Sequence, residues 1–241
     1  MAERRNKTHR ELFFFCEQDL TIFKGGLMKT VSYSEFKDNP SILNEISDIL
    51  ADDGIVCIPT PSGYKLMANL ESQRAVMAMI QAKRRVRSAP ALVLVPDKTH
   101  VENIADSISS EASQLMSELW PGPVTLLFAA GDGLPPKIRK PLTKAKGWLG
   151  IRVPDSGIAR TVVKSFGKPL LVSSANISQK GGAGSLAQVK KNFGRNISLM
   201  VEDGDLSLSS SSTLVDVTRD IPRIIRAGVV SEETIQAALA M

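Results

Sequence analysis

Apolar residues recur at helical spacing from Pro40, with Ile42, Leu43, Ile46, Ile49 and Leu50 on one face and Asp53-Gly54 as a stop. This pattern predicts a helix followed by a strand at residues 55–58. A second helix is expected over 75–83, with Val76, Met77 and Ile80 on one face, and a buried strand over 91–95. The alternation continues with a helix at 111–119, strands at Val124–Ala129 and 148–153, a helix at 158–166 and a strand at 170–173. Ser185 and Gln188 occupy the two positions of a capping box, where a hydroxyl and an amide satisfy orphan helical amides, ahead of a helix to Phe193. Short strands at Leu199–Glu202, 213–217 and Arg223–Arg226 precede a last helix from Ser231. Such an order predicts an α/β (α+β) layered domain, a central sheet covered by helices.

Composition narrows the class. With 241 residues, 43% hydrophobic and 23% charged, the chain can bury a continuous core, which excludes a disordered or fibrous protein. Its two cysteines, Cys16 and Cys57, supply neither a disulfide framework nor a cysteine zinc site, and point to a reducing, cytoplasmic setting. The longest apolar runs, at 89–95 and 124–130, fall short of the roughly 20 residues of a membrane helix, so no membrane contact is expected. Residues 1–27 mix basic and acidic residues around a short apolar patch, unlike a signal or transit peptide. They read as an N-terminal extension, either non-native or an extra helix, with the domain proper spanning 28–241.

The net charge of +5 is unevenly spread. Lys83, Arg84, Arg85 and Arg87 cluster where a helix should end, a place where cations either complement the helix dipole or hold phosphate. Lys137, Arg139, Lys140, Lys144 and Lys146 form a second basic stretch, either a solvated loop or a nucleic-acid contact. Two strands run into polar loops, Thr60-Pro61-Ser62-Gly63 and Ser174-Ala175-Asn176-Ile177-Ser178, at the strand ends where α/β proteins place ligands. No Walker loop, dinucleotide glycine motif or nucleophile elbow is present, and the two histidines, His9 and His100, form no triad. An enzyme built from this chain would work by positioning and charge stabilisation.

Read in order, seven motifs resemble the YrdC-like family of L-threonylcarbamoyl-AMP synthases over residues 41–238. They are 59–66 (Pro-Thr-Pro-Ser-Gly-Tyr-Lys-Leu), Lys83 and Arg85 with Pro90, Trp120-Pro121-Gly122-Pro123 through Thr125, and Arg152-Val153-Pro154, followed by Ser174-Ala175-Asn176-Ile177-Ser178, Ser212-Thr213 through Asp216, and Ile225-Arg226-Ala227-Gly228. The resemblance implies a single YrdC-like domain, a twisted mixed sheet around a basic concave cavity, without the extra C-terminal domain of longer members. It implies synthesis of threonylcarbamoyl-AMP and pyrophosphate from L-threonine, bicarbonate and ATP, for threonylcarbamoyladenosine modification of tRNA with partner proteins of that pathway.

Carried over by position, Lys83 and Arg85 are the catalytic cations and hold ATP phosphates, together with Asn176 and Arg226. Thr60, Ser62, Arg152, Ser174 and Ser212 face the threonine or carbamoyl end. No protein metal site is implied, and Mg²⁺ is expected to arrive on ATP. Six positions depart from the family: Pro61 for an acid, Gly63, Lys65 for a glycine, Ala89 for a frequent Asn, Leu94 for a frequent His and Gln179 for a glycine. Ser62-Gly63-Tyr64 is similar to the YciO-like branch, whereas Ser174-Ala175-Asn176 follows the synthases. Two alternatives therefore stand beside the synthase: a module that binds double-stranded RNA or tRNA without this activity, and a YciO-like adenylate-forming relative with another substrate.

Overall fold

In a computed structural model of the chain, the described residues are 28–83, 90–143, 147–155, 157–177 and 182–240. The extension 1–27 with His9 and Cys16, and also Arg84, Arg85, Arg87, Ala89, Lys144, Lys146, Ser178 and Gln179, lie outside them.

The described chain opens with β1 (Lys29–Ser32) and α1 (Tyr33–Asp38), joined by a capping box in which Ser32 Oγ accepts from Glu35 N and the Glu35 carboxylate accepts from Ser32 N. Asn39 Oδ1 accepts from Ser41 N to cap α2 (Pro40–Ala51), whose Ile42, Ile46 and Leu50 are buried at the predicted spacing. Next come β2 (Val56–Ile58), β3 (Lys65–Asn69), α3 (Gln73–Ala82), β4 (Ala91–Leu94), a 3₁₀ turn (Lys98–Val101), α4 (Ser110–Leu119) and β5 (Val124–Ala129). The rest is α5 (Pro136–Thr143), β6 (Trp148–Arg152), α6 (Gly157–Phe166), β7 (Leu170–Ser174), α7 (Leu186–Phe193), β8 (Leu199–Glu202), β9 (Thr213–Asp216), β10 (Arg223–Arg226) and α8 (Glu232–Leu239).

Three local expectations are corrected. The basic stretch from Lys137 is not a loop throughout: Pro136 starts α5, and Ile138 and Leu142, four residues apart, are buried while Lys137 and Lys140 face solvent. Strand β3 had no counterpart in the pattern, because both of its faces are covered and its residues do not alternate in polarity. Ser185 does stand at the N-cap of α7 but makes no side-chain cap; Asp205, from the loop after β8, accepts from Leu186 N at 2.8 Å instead. A carboxylate at that end also complements the helix dipole.

Among the described residues the strands form one mixed sheet in the order β1-β8-β2-β3-β7-β4-β6-β5-β9-β10. One face carries Cys57, Leu66, Ala68, Val93, Leu126, Ile151, Leu171 and Val215, packed with buried residues of α3, α4, α5, α7 and α8. Cys57 belongs to this core; burial pushes its thiol strongly up, leaving it an inert packing residue. On the other face, Val56, Ile58, Met67, Leu94, Leu170, Val172, Leu199 and Val201 pack with Phe36 of α1, α2 and α6. Leu94, where the family often has a histidine, is one of these core residues. The α1, α2 and α6 layer packs on the β1–β4 side of the second face. Toward β5, β9 and β10 that same face carries the polar residues of the motifs.

Candidate functional site

Strand register decides which side chains can meet. Lys65 lies directly opposite Ser174 in the antiparallel β3–β7 pair. Side chains alternate along a strand, so Val172 and Ser174 share a face. The register then passes that face from Val172 to Leu92, from Leu94 to Arg152, and from Thr125 through Leu214 to Arg226. Lys65, Ser174, Arg152, Thr125 and Arg226, spread over 162 positions of sequence (226 − 65 + 1), therefore occupy one face of one sheet.

The loop after β7 is the centre of the arrangement. Lys83, just past α3 and only 5% exposed, donates through Nζ to the Ser174 and Asn176 carbonyls and, at 3.2 Å, to Asn176 Oδ1. It also lies 5.6 Å from the centre of the Phe193 ring, a cation–π contact. Lys65 Nζ reaches the same serine from β3, donating to Ser174 Oγ at 2.9 Å and to Ser62 O at 3.0 Å. Burial, then the positive charges of Arg226 and Arg152, push the Lys65 ammonium down from 10.5 to about 8.

On the β5–β9 side, the two motif turns interlock. Gly122 O accepts from Arg152 Nε at 2.8 Å, and Arg152 Nη2 lies 3.3 Å from Asp155. Burial lowers the Arg152 guanidinium pKa against the opposing pull of Asp155. Thr125 and Ser212 share a hydroxyl–hydroxyl bond of 2.8 Å, and Arg226 Nη2 donates to Ser212 O at 2.9 Å. The motif glycines are steric necessities: a Cβ on Gly122 would sit 2.0 Å from Leu119 O, and one on Gly228 would sit 2.4 Å from Ser211 O. Asp216 of the same motif is not placed for ligand contact. It is buried and accepts from Thr218 N and Oγ1, holding a turn.

At the other border, Thr60 Oγ1 donates to Gly63 O at 2.6 Å and lies 3.4 Å from Ser62 Oγ. Tyr64 pins this turn: its fully buried ring sends the hydroxyl to Gly204 O at 2.7 Å and receives Asp203 N at 2.9 Å. Burial raises the phenol pKa. A cavity of about 310 Å³ borders the turn, lined by Tyr33, Pro59, Thr60, Ile158, Asp203 and Leu206 among others, and shares only Thr60 with the named polar residues.

The structure thus joins Lys83, Ser174 and Asn176 in one hydrogen-bonded group, and Arg152, Ser212 and Arg226 along the same face, with Thr60 and Ser62 on the adjoining turn. Arg85 lies outside the described residues. The residue that sequence reasoning undervalued is Lys65, named there only as a departure from the family's glycine. Its register opposite Ser174 was the missing signal. Among the described residues, no three of His, Cys, Asp and Glu come together to hold a metal ion, and no helix is long and apolar enough to cross a membrane. His100 lies in the 3₁₀ turn, 3.2 Å from Asp97.

The Sua5/YciO/YrdC family model, described as telomere recombination, matches residues 48–228. A threonylcarbamoyl-AMP synthase of Bacillus subtilis is 28% identical over 206 residues, covering 85% of this chain and 58% of its own length. The crystal structure of Pyrococcus abyssi Sua5 complexed with L-threonine superposes with a TM-score of 0.72 at 25% identity, over 88% of this chain and 60% of that one. Escherichia coli YciO shares the fold, with a TM-score of 0.69 at 22% identity over 82% of this chain and 94% of its own. The chain accordingly spans somewhat under two thirds of the first two relatives. With a family model that matches most of its length, and a mixed sheet with helices on both faces, the chain belongs to the Sua5/YciO/YrdC family.

Proposed function

We propose that the chain is an L-threonylcarbamoyladenylate synthase, a nucleotidyltransferase that forms threonylcarbamoyl-AMP and pyrophosphate from L-threonine, bicarbonate and ATP, supplying tRNA modification. The observation that carries this reading is the hydrogen-bonded group of Lys83, Ser174 and Asn176 at the end of β7, with Arg152, Ser212 and Arg226 along the adjoining sheet face, in a chain similar to named synthases.

The chemistry has two steps. The threonine amine bonds to the bicarbonate carbon and water leaves, giving a carbamate. A carbamate oxygen then attacks the α-phosphorus of ATP; the bond to the bridging oxygen breaks and its electron pair departs on pyrophosphate. Negative charge builds on oxygens in the second step, and preorganised cations and amides in a water-poor site stabilise it. Asn176 and Arg226 meet the nucleotide. Lys83 fixes the Ser174–Asn176 loop and, with ATP bound, exchanges one of its Asn176 acceptors for a phosphate oxygen, with Arg85 beside it on the phosphates. Arg152, Ser174 and Ser212 take the amino-acid and carbamoyl oxygens, with Thr60 and Ser62 closing that end. With no acidic cage among the described residues, Mg²⁺ would be held by the triphosphate.

Incubation with ATP, threonine and bicarbonate is expected to release pyrophosphate only when all three are present; release that ignores threonine overturns the reading. An RNA-binding role draws support from the solvent-facing Lys137 and Lys140 of α5. It predicts RNA retention that falls with salt and with Lys140→Ala.

A further inference from the structure

Tyr64 is fully buried, yet its hydrogen bonds run to separate segments of the chain. Its main chain accepts from Ala175 N at 2.8 Å, between Ser174 and Asn176, and donates to Ala183 O at 2.7 Å. Its hydroxyl donates to Gly204 O at 2.7 Å and accepts from Asp203 N at 2.9 Å, both in the exposed loop after β8. That loop, residues 203–211, is a strap across the border of the site. Asp205 accepts from Leu186 N and Leu206 N donates to Gly184 O, each at 2.8 Å. Further on, Ser209 donates to Pro61 O through both its N, at 2.8 Å, and its Oγ, at 3.0 Å. Just beyond the strap stands Ser212, joined to Thr125 and Arg226. The strap also supplies Asp203, Leu206 and Ser207 to the wall of the cavity beside Thr60.

Two departures from the family pattern find their use here. Pro61 provides the carbonyl that takes both Ser209 donors. Gly63, at φ +96°, leaves room for the crossing: a Cβ there would meet Ala183 O at 3.0 Å and Leu208 Cδ2 at 3.1 Å. Packing alone does not ask for a hydroxyl at position 64, since a buried phenylalanine fills nearly the same volume with no polar group to satisfy. What the hydroxyl holds is the strap.

We propose that Tyr64 is a positioning residue: its hydroxyl anchors the strap and thereby fixes Ser212 relative to the Thr60–Gly63 turn, so that two borders of the site move as one. The inference rests on the synthase reading for the substrate that feels the change, threonine, whereas the anchoring itself is read without turnover.

Tyr64→Phe removes the hydroxyl alone. Asp203 and Gly204 are exposed, so water can replace the lost bonds and the fold should survive, which thermal melts verify. Residue-resolved amide exchange on the full chain should show Leu206 and Ser209 exchanging at least about tenfold faster, with the amides of β3 and β7 unchanged. Initial rates should show the threonine KM rising about five- to tenfold while kcat and the ATP KM stay within about twofold. A residue that only stabilised the fold would lower the active fraction, and with it kcat, leaving both KM values in place. Ser209→Pro removes both donors to Pro61 O from an exposed position. It should give the same threonine-specific rise, and it decides the matter if Tyr64→Phe does not fold. Unchanged exchange in folded Tyr64→Phe overturns the proposal, as does a fall in kcat with the threonine KM unmoved in either variant. Absence of pyrophosphate release from the parent overturns the synthase reading instead, and amide exchange in the two variants then decides the anchoring by itself.

Discussion

Two lysines converge on Ser174 and are held in opposite ways. Lys83, past the end of α3, spends its donors on the Ser174 and Asn176 carbonyls and the Asn176 amide. Lys65, at the start of β3, keeps its charge among Arg152 and Arg226 and donates only to a hydroxyl and a carbonyl. A buried cation surrounded by fixed acceptors is part of the scaffold. Lys65 is only half-buried, and its burial beside the positive charges of Arg226 and Arg152 makes its ammonium costlier to keep charged than that of a surface lysine.

The sharpest way to break this contrast is Lys83→Ala. It strands two inward carbonyls and loosens the loop that carries Ser174 and Asn176, so stability should fall by about 2–4 kcal/mol in denaturant unfolding. Pyrophosphate release should drop by roughly two orders of magnitude. A variant as stable and active as the parent would place Lys83 outside both scaffold and site.

Lys65→Met should move stability the other way, upward by about 1–3 kcal/mol at pH 7 in the absence of ligand. The sign follows from linkage. The folded chain binds this proton with a pKa of about 8 against an ordinary 10.5, so between those values the unfolded chain holds more protons and raising the pH favours folding. The penalty is complete below pH 8 and fades as the pH climbs toward 10.5. The advantage of the methionine variant should shrink over that window, and unfolding curves at pH 7 and pH 10 measure it.

Ser212→Ala removes the 2.8 Å bond to Thr125 Oγ1 where the β5 and β9 turns meet. About 1 kcal/mol of stability should go with it, along with a larger fractional loss in threonine affinity than in ATP affinity, read from initial rates. The smallest effect belongs to Lys140→Ala, on the solvent side of α5: stability should stay within about 0.5 kcal/mol and pyrophosphate release should be unchanged.

The contrast between the two lysines also marks what the sequence could convey. Helices α2 and α6 were legible because apolar residues at three- and four-residue spacing face a core. Several of the seven motifs fall at strand ends and turns whose backbone demands particular residues, as at Gly122 and Gly228. The capping box of Ser32 and Glu35 was equally available and would have announced α1. Other features depend on partners remote in sequence. Asp205 takes over the cap of α7 across a loop, and the Lys-Leu-Met-Ala-Asn of β3 becomes a strand only between β2 and β7. Until β3 is paired, Lys65 has no face at all, and its meeting with Ser174 cannot be inferred from spacing.

Among the described residues strand β10 has one neighbour, β9, with which its register slips between Ile224 and Arg226. Arg226 is therefore borne on a selvedge, stitched to the molecule by a single seam, whereas Lys65 and Lys83 are woven into its middle. A change near the end of β10 can advance or withdraw one guanidinium while the buried Thr213 and Val215 of β9 keep their places. The charge at that edge of the face can thus shift while the middle of the sheet stays as it is.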